Sequence, residues 1–557
     1  MGRPTDVKPP RAGTNRREFF KRSGATTVAI AAVPLLPLAA NAADLTFEHG
    51  VASGDPLADR VILWTRVTPP QAKLHVPVQY VVATDPALRN VVLRGQTSTE
   101  PGRDYTVKVD AVGLRPNTTY YYQFTAEGRT SPVGRTKTLP VGSTQRLRMA
   151  VVSCSNHAYG YFNAYACIAQ RADLDLVMHL GDYIYEYGTN QYGTTRTPDP
   201  AHEIITLDDY RRRHAQYKRD PDSQAMHRQH PLVAIWDDHE TANNAYKNGA
   251  ENHQATTEGD WSARVNAALQ AYYEWMPVRV LDSANLRRDN RSYAYGDLAD
   301  LLMLEERLGA RSQQLGSNIG NPNGYFVQTG TYLDASRQML GTDEETWLFD
   351  KLRTSSARWK MLGQGVMFAQ LKVLPGTLAA GGGVFFNSDQ WDGYQPARDR
   401  IYAVLQGDAT HPPVSDVVVL TGDIHSSWAA DLTQDPNNPS VVAGGYNPLT
   451  GEGSRAVEFV GTSVTSPGVD RDTTGAIADS LRPANPHFKY INLHRRGYML
   501  LDVTPQRAVA EWWYVDTVAS PSNLEIFAAA FEVQHGTNRV VPSAQTQPRS
   551  NPPLLAP

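Results

Sequence analysis

Three short acidic segments, each placed directly after an apolar run, constrain this chain more than any other feature: Gly181-Asp182-Tyr183-Ile184-Tyr185, Trp236-Asp237-Asp238-His239-Glu240 and Gly422-Asp423-Ile424-His425. The runs in front of them, residues 174–180, 232–235 and 416–421, are nearly continuous in apolar side chains and bounded by turn residues. That is the pattern of strands buried on both faces of a parallel sheet. Ligands of such sheets sit beyond the carboxyl ends of the strands, so carboxylates and imidazoles delivered there can build a metal site. A single strand-end Asp is often a turn or helix-cap residue. Three of them, each followed closely by His or Tyr, point to a site.

The 557 residues exceed one typical domain, and a hydrophobic content of 41% is enough for a large core. Two domains are expected. The formal net charge of -4 gives no global field that would attract nucleic acid, so an anionic substrate has to be held by local cations or metals. The amino-terminal stretch reads as an address: Asn15-Arg16-Arg17-Glu18-Phe19-Phe20-Lys21 is a twin-arginine pattern, an apolar stretch follows over residues 25–40, and Ala40-Asn41-Ala42 resembles a cleavage site. Pro34 and Pro37 and the shortness of the stretch argue against a membrane span. Residues 1–42 are therefore read as a signal peptide, with the twin-arginine translocon as export partner and a periplasmic or extracellular destination. That route carries folded proteins, which suits a chain that must acquire metals before export.

Residues 43–142 have an all-β texture, with alternating strands and Gly, Pro, Asn and Asp turns at short spacing, as in a small immunoglobulin- or fibronectin-like sandwich. Leu114-Arg115-Pro116-Asn117-Thr118-Thr119-Tyr120 resembles the tyrosine corner of such modules, which gives Tyr120 a structural role. Residues 146–520 read as an α/β catalytic domain. Further strands are expected near residues 300–304, 359–362 and 457–460, with antiparallel edge strands at 498–502 and 507–513. In the remaining residues, 521–557, the stretch 524–534 has a helical pattern and the Pro-, Ser- and Gln-rich end reads as disordered.

Cys154 and Cys167 are the only cysteines. Cys154 ends the apolar run 147–153 and so reaches the same sheet edge as the acidic segments, where it can be a metal ligand; a disulfide and an inert core position are the alternatives. Cys167 falls in a helical stretch and reads as a small buried hydrophobe. Tyr185 places a phenol beside Asp182. Phenolate suits hard trivalent iron, which zinc and magnesium sites rarely share, and Asp182 has a second oxygen with which to bridge to a neighbouring cation. Asp238 and Asp423 offer oxygen to a hard cation such as calcium or magnesium, and Asn243 or Asn244 can add to that set. His239, at a strand end, can protonate a leaving oxygen.

These pieces together resemble the PhoD-type alkaline phosphatases: Cys154, the Gly181-Asp182-Tyr183-Ile184-Tyr185 loop, Asp237-Asp238-His239-Glu240 followed by Asn243-Asn244, and Gly422-Asp423-Ile424-His425-Ser426-Ser427-Trp428. The resemblance extends to Gly50-Val51-Ala52-Ser53-Gly54-Asp55-Pro56, Leu63-Trp64-Thr65-Arg66, Trp391-Asp392-Gly393-Tyr394 and Glu458-Phe459-Val460-Gly461-Thr462-Ser463. Purple acid phosphatases and other calcineurin-like metallophosphoesterases are similar more distantly. The fold implied is a mixed-sheet α/β sandwich of the metallophosphoesterase kind, preceded by the β-sandwich.

The resemblance implies one ferric ion, held by Cys154, Asp182, Tyr185 and His425, and two calcium ions, with Asp182, Asp238 and Asp423 as calcium ligands; Asn243, read from its residue type alone, is a further oxygen donor or a capping residue. It implies hydrolysis of phosphate monoesters or diesters by a hydroxide that the metals orient, with His239 assisting the leaving group and Arg307 contacting phosphate. The chain departs from the family at Leu304-Glu305-Glu306-Arg307, where members commonly read Leu-Asp-Thr-Arg. A phospholipase D-like activity on choline head groups is a related alternative; Trp391 and Tyr394 could then serve as aromatic contacts, although the residues themselves read first as packing aromatics. An inactive extracellular binding protein is the alternative of another class, and the intact ligand set argues against it. Two cysteines exclude an iron-sulfur cluster with four Cys ligands from one chain.

Overall fold

A computed structural model describes residues 45–557. The twin-arginine pattern, the apolar stretch behind it and Ala40-Asn41-Ala42 lie outside the described residues. Among the described residues no helix is long and apolar enough to cross a membrane.

Two sheets facing each other form the centre. In the larger, of ten strands, Leu147–Val152, Leu176–Leu180 and Pro231–Ile235 run parallel side by side. In the other, of seven strands, Ala299–Met303, Trp359–Gln364, Val417–Thr421 and Ala456–Val460 do the same. The continuous apolar runs follow from this burial, because successive side chains leave opposite faces of a strand and both faces are covered. Met149, Val151, Met178, Leu180, Val233 and Ile235 point into a slab shared with Leu301, Met361, Val418, Leu420 and Phe459 of the facing sheet. Their neighbours Ala150, Val152, Val177, Leu232 and Ala234 pack outward on a helical layer with Ile168, Tyr210, Leu269 and Tyr272. Each fully buried large aliphatic contributes roughly 1.5–3 kcal/mol, so the slab is what holds the ends of the two sheets opposite one another. The first two acidic segments therefore leave the larger sheet and the third leaves the smaller one.

One outer helix bears directly on the site. Leu207–Arg219 starts at Thr206, whose hydroxyl accepts from the Asp209 amide while the Asp209 carboxylate accepts from the Thr206 amide, a capping box that fixes the first turn. From its buried face Arg213 donates to the carbonyl of Tyr185, which ties the first acidic loop to the helix.

The structure corrects three expectations. The amino-terminal β region is not a sandwich closed on itself. Val51–Gly54 pairs in parallel with Pro231–Ile235 and, with Arg60–Arg66 and Thr106–Val112, completes the ten-stranded sheet. A five-stranded sheet that includes Val76–Ala83, Val91–Thr99 and Thr119–Ala126 covers this extension, and Val61, Leu63, Val78, Tyr122 and Phe124 form a separate core between them. Gly54 permits the junction, since a Cβ there would lie 2.4 Å from the carbonyl oxygen of Pro277. The Tyr120 hydroxyl accepts from the Arg115 amide at 2.8 Å, as a tyrosine corner does.

Second, residues 525–534 are a strand, Glu525–Gln534, and no helix. Alanine-rich composition favours helix, but pairing with Arg507–Val515 and insertion of Val533 into the slab override it. The strands Gly497–Val503 and Arg507–Val515 consequently lie inside the sheet, with Glu525–Gln534 and Val540–Pro542 beyond them. Third, the terminal residues are engaged. The Thr546 amide donates to Glu511, Arg549 pairs with Asp175 at 2.5 Å, and the Ala556 amide donates to Gln229 at 2.8 Å. These contacts reach the amino ends of the parallel strands, opposite the acidic segments.

Candidate metal centre

The candidate ligand side chains are aimed inward by turns of unusual backbone geometry. Cys154, Asp182, Asp423 and His425 all have φ between 54° and 61°, a left-handed conformation that side chains other than glycine seldom adopt and that clusters at functional sites. The loops are stitched together: the Cys154 amide donates to the Gly181 carbonyl at 3.1 Å and the Ser155 amide to the Asp182 carbonyl at 2.9 Å. Gly181 has to be glycine, because a Cβ would stand 2.4 Å from the Cβ of Asp237. The Glu240 carboxylate accepts from the amides of Asp182, Tyr183 and Asp237, joining the first two acidic loops.

Three overlapping groups of donors result. Cys154, Asp182 and His425 each place a ligand atom within 4.8 Å of the others; so do Asp182, Asp238 and His239, and so do Asp237, Asp238 and Asp423. Asp182 belongs to the first two groups and Asp238 to the last two. The Tyr185 hydroxyl donates to Asp182 at 2.9 Å and lies 3.3 Å from His425 Nε2. His425 Nδ1 donates to the Pro467 carbonyl at 2.8 Å, which leaves Nε2 for a metal. All these side chains are buried.

The donor set fits metal ions. Burial pushes the Cys154 thiol, the Tyr185 phenol and the Asp182 carboxyl up, and mutual repulsion adds to it: Asp182 acts on Cys154 and Tyr185, and Asp238 on Asp182, against a lowering by His239. Asp237 is raised by burial and by Asp238, with Arg307 opposing. A cation reverses each of these effects, because it stabilises the deprotonated donor. The sulfur, phenol, carboxylate and imidazole group suits trivalent iron, and the carboxylates of the third group suit a hard divalent ion.

His239 stacks on the Tyr185 ring with centroids 4.2 Å apart, and its Nδ1 lies 2.6 Å from Glu186 Oε2. Burial alone would depress it, but Asp238, Glu186 and Asp182 outweigh burial and hold its pKa well above the ordinary value. Glu186, pushed up by burial, is held below the usual carboxylate range by His239 and by hydrogen bonds from Asn243 and Asn252. His239 thus has its Nδ1 occupied by Glu186, and its Nε2 remains for chemistry.

Two further expected site residues, Asn243 and Arg307, have the following partners. Asn243 sends its amide N–H to Glu186 Oε1 at 2.8 Å and its side chain toward Glu251 at 3.5 Å, so its hydrogen bonds do not join the carboxylate cluster. Arg307 is fully buried beneath that cluster. It donates to both oxygens of Asp237, pairs with Asp389 at 3.0 Å and reaches Asp423 at 3.5 Å. Enclosed by carboxylates, it positions them and does not face solvent as a phosphate contact would. Glu305 and Glu306, the departure from the family pattern, accept from backbone amides and tryptophans: Glu305 from Arg307, Leu308, Gly309 and Trp236, Glu306 from Gly365, Val366 and Trp391. Trp391 and Tyr394 are buried packing residues. Cys167 is a free thiol in the helix Asn163–Ala169, within the outer hydrophobic layer.

Several participants escaped the sequence reading. Asp237 and Glu186 stand next to predicted residues, and that adjacency was their only signal. Ser466 donates to the Tyr185 hydroxyl at 2.6 Å and Gln390 to Asp423 at 2.5 Å; both come from loops with no local mark.

The chain is similar to known proteins over most of its length. The family model described as PhoD-like phosphatase matches residues 149–512, and that of the PhoD-like phosphatase N-terminal domain matches residues 31–140. Alkaline phosphatase D of Bacillus subtilis (strain 168) is 38% identical over 510 residues, covering 89% of this chain and 82% of that protein. A solved structure described as PhoD is 35% identical, with a TM-score of 0.78, covering 92% of this chain and 94% of the other.

Proposed function

This chain belongs to the PhoD-like phosphatase family and is a phosphoric ester hydrolase; from that premise we propose that it works with one ferric ion and calcium in the cluster just described. Cys154, Asp182, Tyr185 and His425 would hold the iron, and Asp182, Asp238 and Asp423, with Asp237 beside them, the calcium. The observation that carries this is the sharing of Asp182 and Asp238 among the three donor groups, which sets adjacent cation sites a carboxylate apart. When bound, the cations supply Lewis-acid stabilisation of charge on the phosphoryl oxygens and lower the pKa of the attacking water.

The chain's own residues do the rest. The stacked Tyr185 ring and Glu186 fix the His239 ring with a proton at Nδ1, and Nε2 carries a second proton to the departing ester oxygen. Arg307 balances Asp237 and Asp389, which keeps the calcium carboxylates in place in a dry site where uncompensated charge would be costly. Ser466, donating to the Tyr185 hydroxyl, orients that phenol. No nucleophilic side chain is required.

The same proposal places the fold with the calcineurin-like metallophosphoesterases, which the two facing sheets and the ligands at strand ends support. It takes Asn15-Arg16-Arg17-Glu18-Phe19-Phe20-Lys21 as the export signal of a periplasmic or extracellular enzyme.

Metal analysis of natively produced protein, paired with hydrolysis of para-nitrophenyl phosphate, tests the assignment. Cys154→Ala and Asp182→Ala should each lose iron, the tyrosinate-to-iron colour and activity, while Cys167→Ala keeps all three. Full iron in Cys154→Ala would refute the ligand set.

A further inference from the structure

A cavity of about 410 Å³ opens beside the metal centre, lined among others by Tyr159, Asp470, His494, Arg495, Arg496 and Asp516. Its walls come from the loops after Leu147–Val152, Ala456–Val460 and Arg507–Val515 and from the turn entering Gly497–Val503. These all lie at the strand ends that carry the ligands: Gly497 pairs with Tyr514, and Met499 with Val151 just before Cys154. The two spaces share a wall, since Arg496 Nε donates to the Ser466 carbonyl and Ser466 Oγ donates to the Tyr185 hydroxyl.

The charges lining the cavity are unequally used. Asp470 is taken up by Arg496 and by the Tyr159 hydroxyl at 2.6 Å, and the Arg496 guanidinium lies 5.8 Å from the centre of the Tyr159 ring. That group is internally neutral. Arg495 is anchored by its backbone, with the amide donating to Asn492 at 3.1 Å and the carbonyl accepting from Thr462. Among the described residues its guanidinium forms no ion pair. His494 beside it is depressed by burial and by Arg495 and Arg496, so it is a neutral imidazole with one N–H to give. On the rim, Asp516 accepts from the Thr517 amide at 2.9 Å.

We propose that this cavity is a second anion subsite, in which Arg495 and His494 bind a negatively charged group of the substrate other than the phosphate being hydrolysed. This rests on the phosphoesterase reading and narrows it to esters that carry a second anionic group. The guanidinium presents a planar fork of donors suited to phosphate or carboxylate. Binding a remote group improves turnover only for substrates that possess it.

The test compares kcat/KM of the metal-loaded enzyme for para-nitrophenyl phosphate and for an alkane bisphosphate with a six-carbon spacer. The ratio of the second to the first is the readout. Losing a charge-assisted hydrogen bond should lower that ratio about 10- to 100-fold in Arg495→Gln. Arg495→Lys should recover part of it, His494→Gln should lower it less, and Asp516→Asn should raise it. If Arg495→Gln melts abnormally, His494→Gln and Asp516→Asn carry the test. Ratios within about twofold of the parent in all folded variants, less than one lost hydrogen bond predicts, would overturn the subsite. A parent enzyme that hydrolyses neither substrate would overturn the functional reading itself, and this inference with it.

Discussion

Glu186→Gln tests the proposed proton-delivery role of His239. The Glu186 carboxylate accepts from three donors: Oε2 faces His239 Nδ1 at 2.6 Å, and Oε1 receives the Asn243 amide and the Asn252 side chain, both at 2.8 Å. A glutamine has one acceptor oxygen, so it cannot serve both sides. Keeping the two asparagine bonds turns its NH2 toward His239 and removes the partner of the imidazolium. The loss of a hydrogen bond to a charged group is about 1.5–3 kcal/mol, or about 10- to 150-fold in rate at 1.4 kcal/mol per tenfold.

The chemistry says where that loss must appear. A nitrophenolate leaves unaided, whereas an alkoxide needs a proton as its bond breaks. Turnover of an alkyl phosphate should therefore fall by about the full factor, while para-nitrophenyl phosphate falls only a few-fold. Iron and calcium content should be unchanged, because Glu186 is absent from the three donor groups. Steady-state kinetics on the two esters at matched metal loading reads the difference. Equal losses on both esters would refute the reasoning and leave Glu186 a purely structural residue.

Two further outcomes follow from parts of the fold remote from chemistry. Lys372 is fully buried, donating to the Gly376 carbonyl and to Asn437, both at 2.9 Å, and burial pushes it down to about 8, with Asp392 and Asp435 opposing. The unfolded chain holds this proton to higher pH than the folded one, so stability should rise between about pH 8 and pH 10, relieving on the order of 3 kcal/mol. Denaturant unfolding should show that rise in the parent and a flatter profile in Lys372→Met; parallel profiles would rule the effect out. Deleting residues 543–557 removes Thr546 from Glu511, Arg549 from Asp175 and Ala556 from Gln229, and should lower stability by on the order of 3 kcal/mol. Activity on para-nitrophenyl phosphate should hold, since these contacts lie at the opposite ends of the strands; its loss would place the tail in the site.

How much of this could be read beforehand depended on whether the information was local. Residues 176–180 and 417–421 announced themselves because burial on both faces demands apolar residues in sequence; the glycines after them serve different ends, Gly181 a positive-φ turn and Gly422 a close approach to Ser153. Cys154 was found from the run before it. The strand Glu525–Gln534 was missed because its pairing partner and the slab that receives Val533 are assembled from distant segments, while Ala528, Ala529 and Ala530 taken alone favour helix. The junction of Val51–Gly54 with Pro231–Ile235 likewise joins residues far apart in the chain. The hydrogen bond from the Asn243 backbone amide to Glu186 also shows only in three dimensions.

Arg307 shows how a departure from a family pattern can leave a site intact. Glu305 is longer by one methylene than the aspartate common there, and its two oxygens gather the amides of Arg307, Leu308 and Gly309 and the indole of Trp236. Glu306 reaches across to Gly365 and Val366, just past the end of the adjacent strand Trp359–Gln364, and to Trp391. Together they satisfy backbone donors at strand ends that would otherwise be buried without partners, each a cost of about 1–3 kcal/mol. The turn they hold delivers the guanidinium to Asp237 and Asp389. Asp237 in turn presses against Gly181, whose missing Cβ makes room for it. The two glutamates thus reach the candidate metal centre through Arg307 and Asp237 and through Gly365, whose carbonyl accepts from the Gly422 amide, and a change of two neighbouring residues is compatible with an unaltered set of candidate ligands at Cys154, Asp182, Tyr185, Asp238, Asp423 and His425.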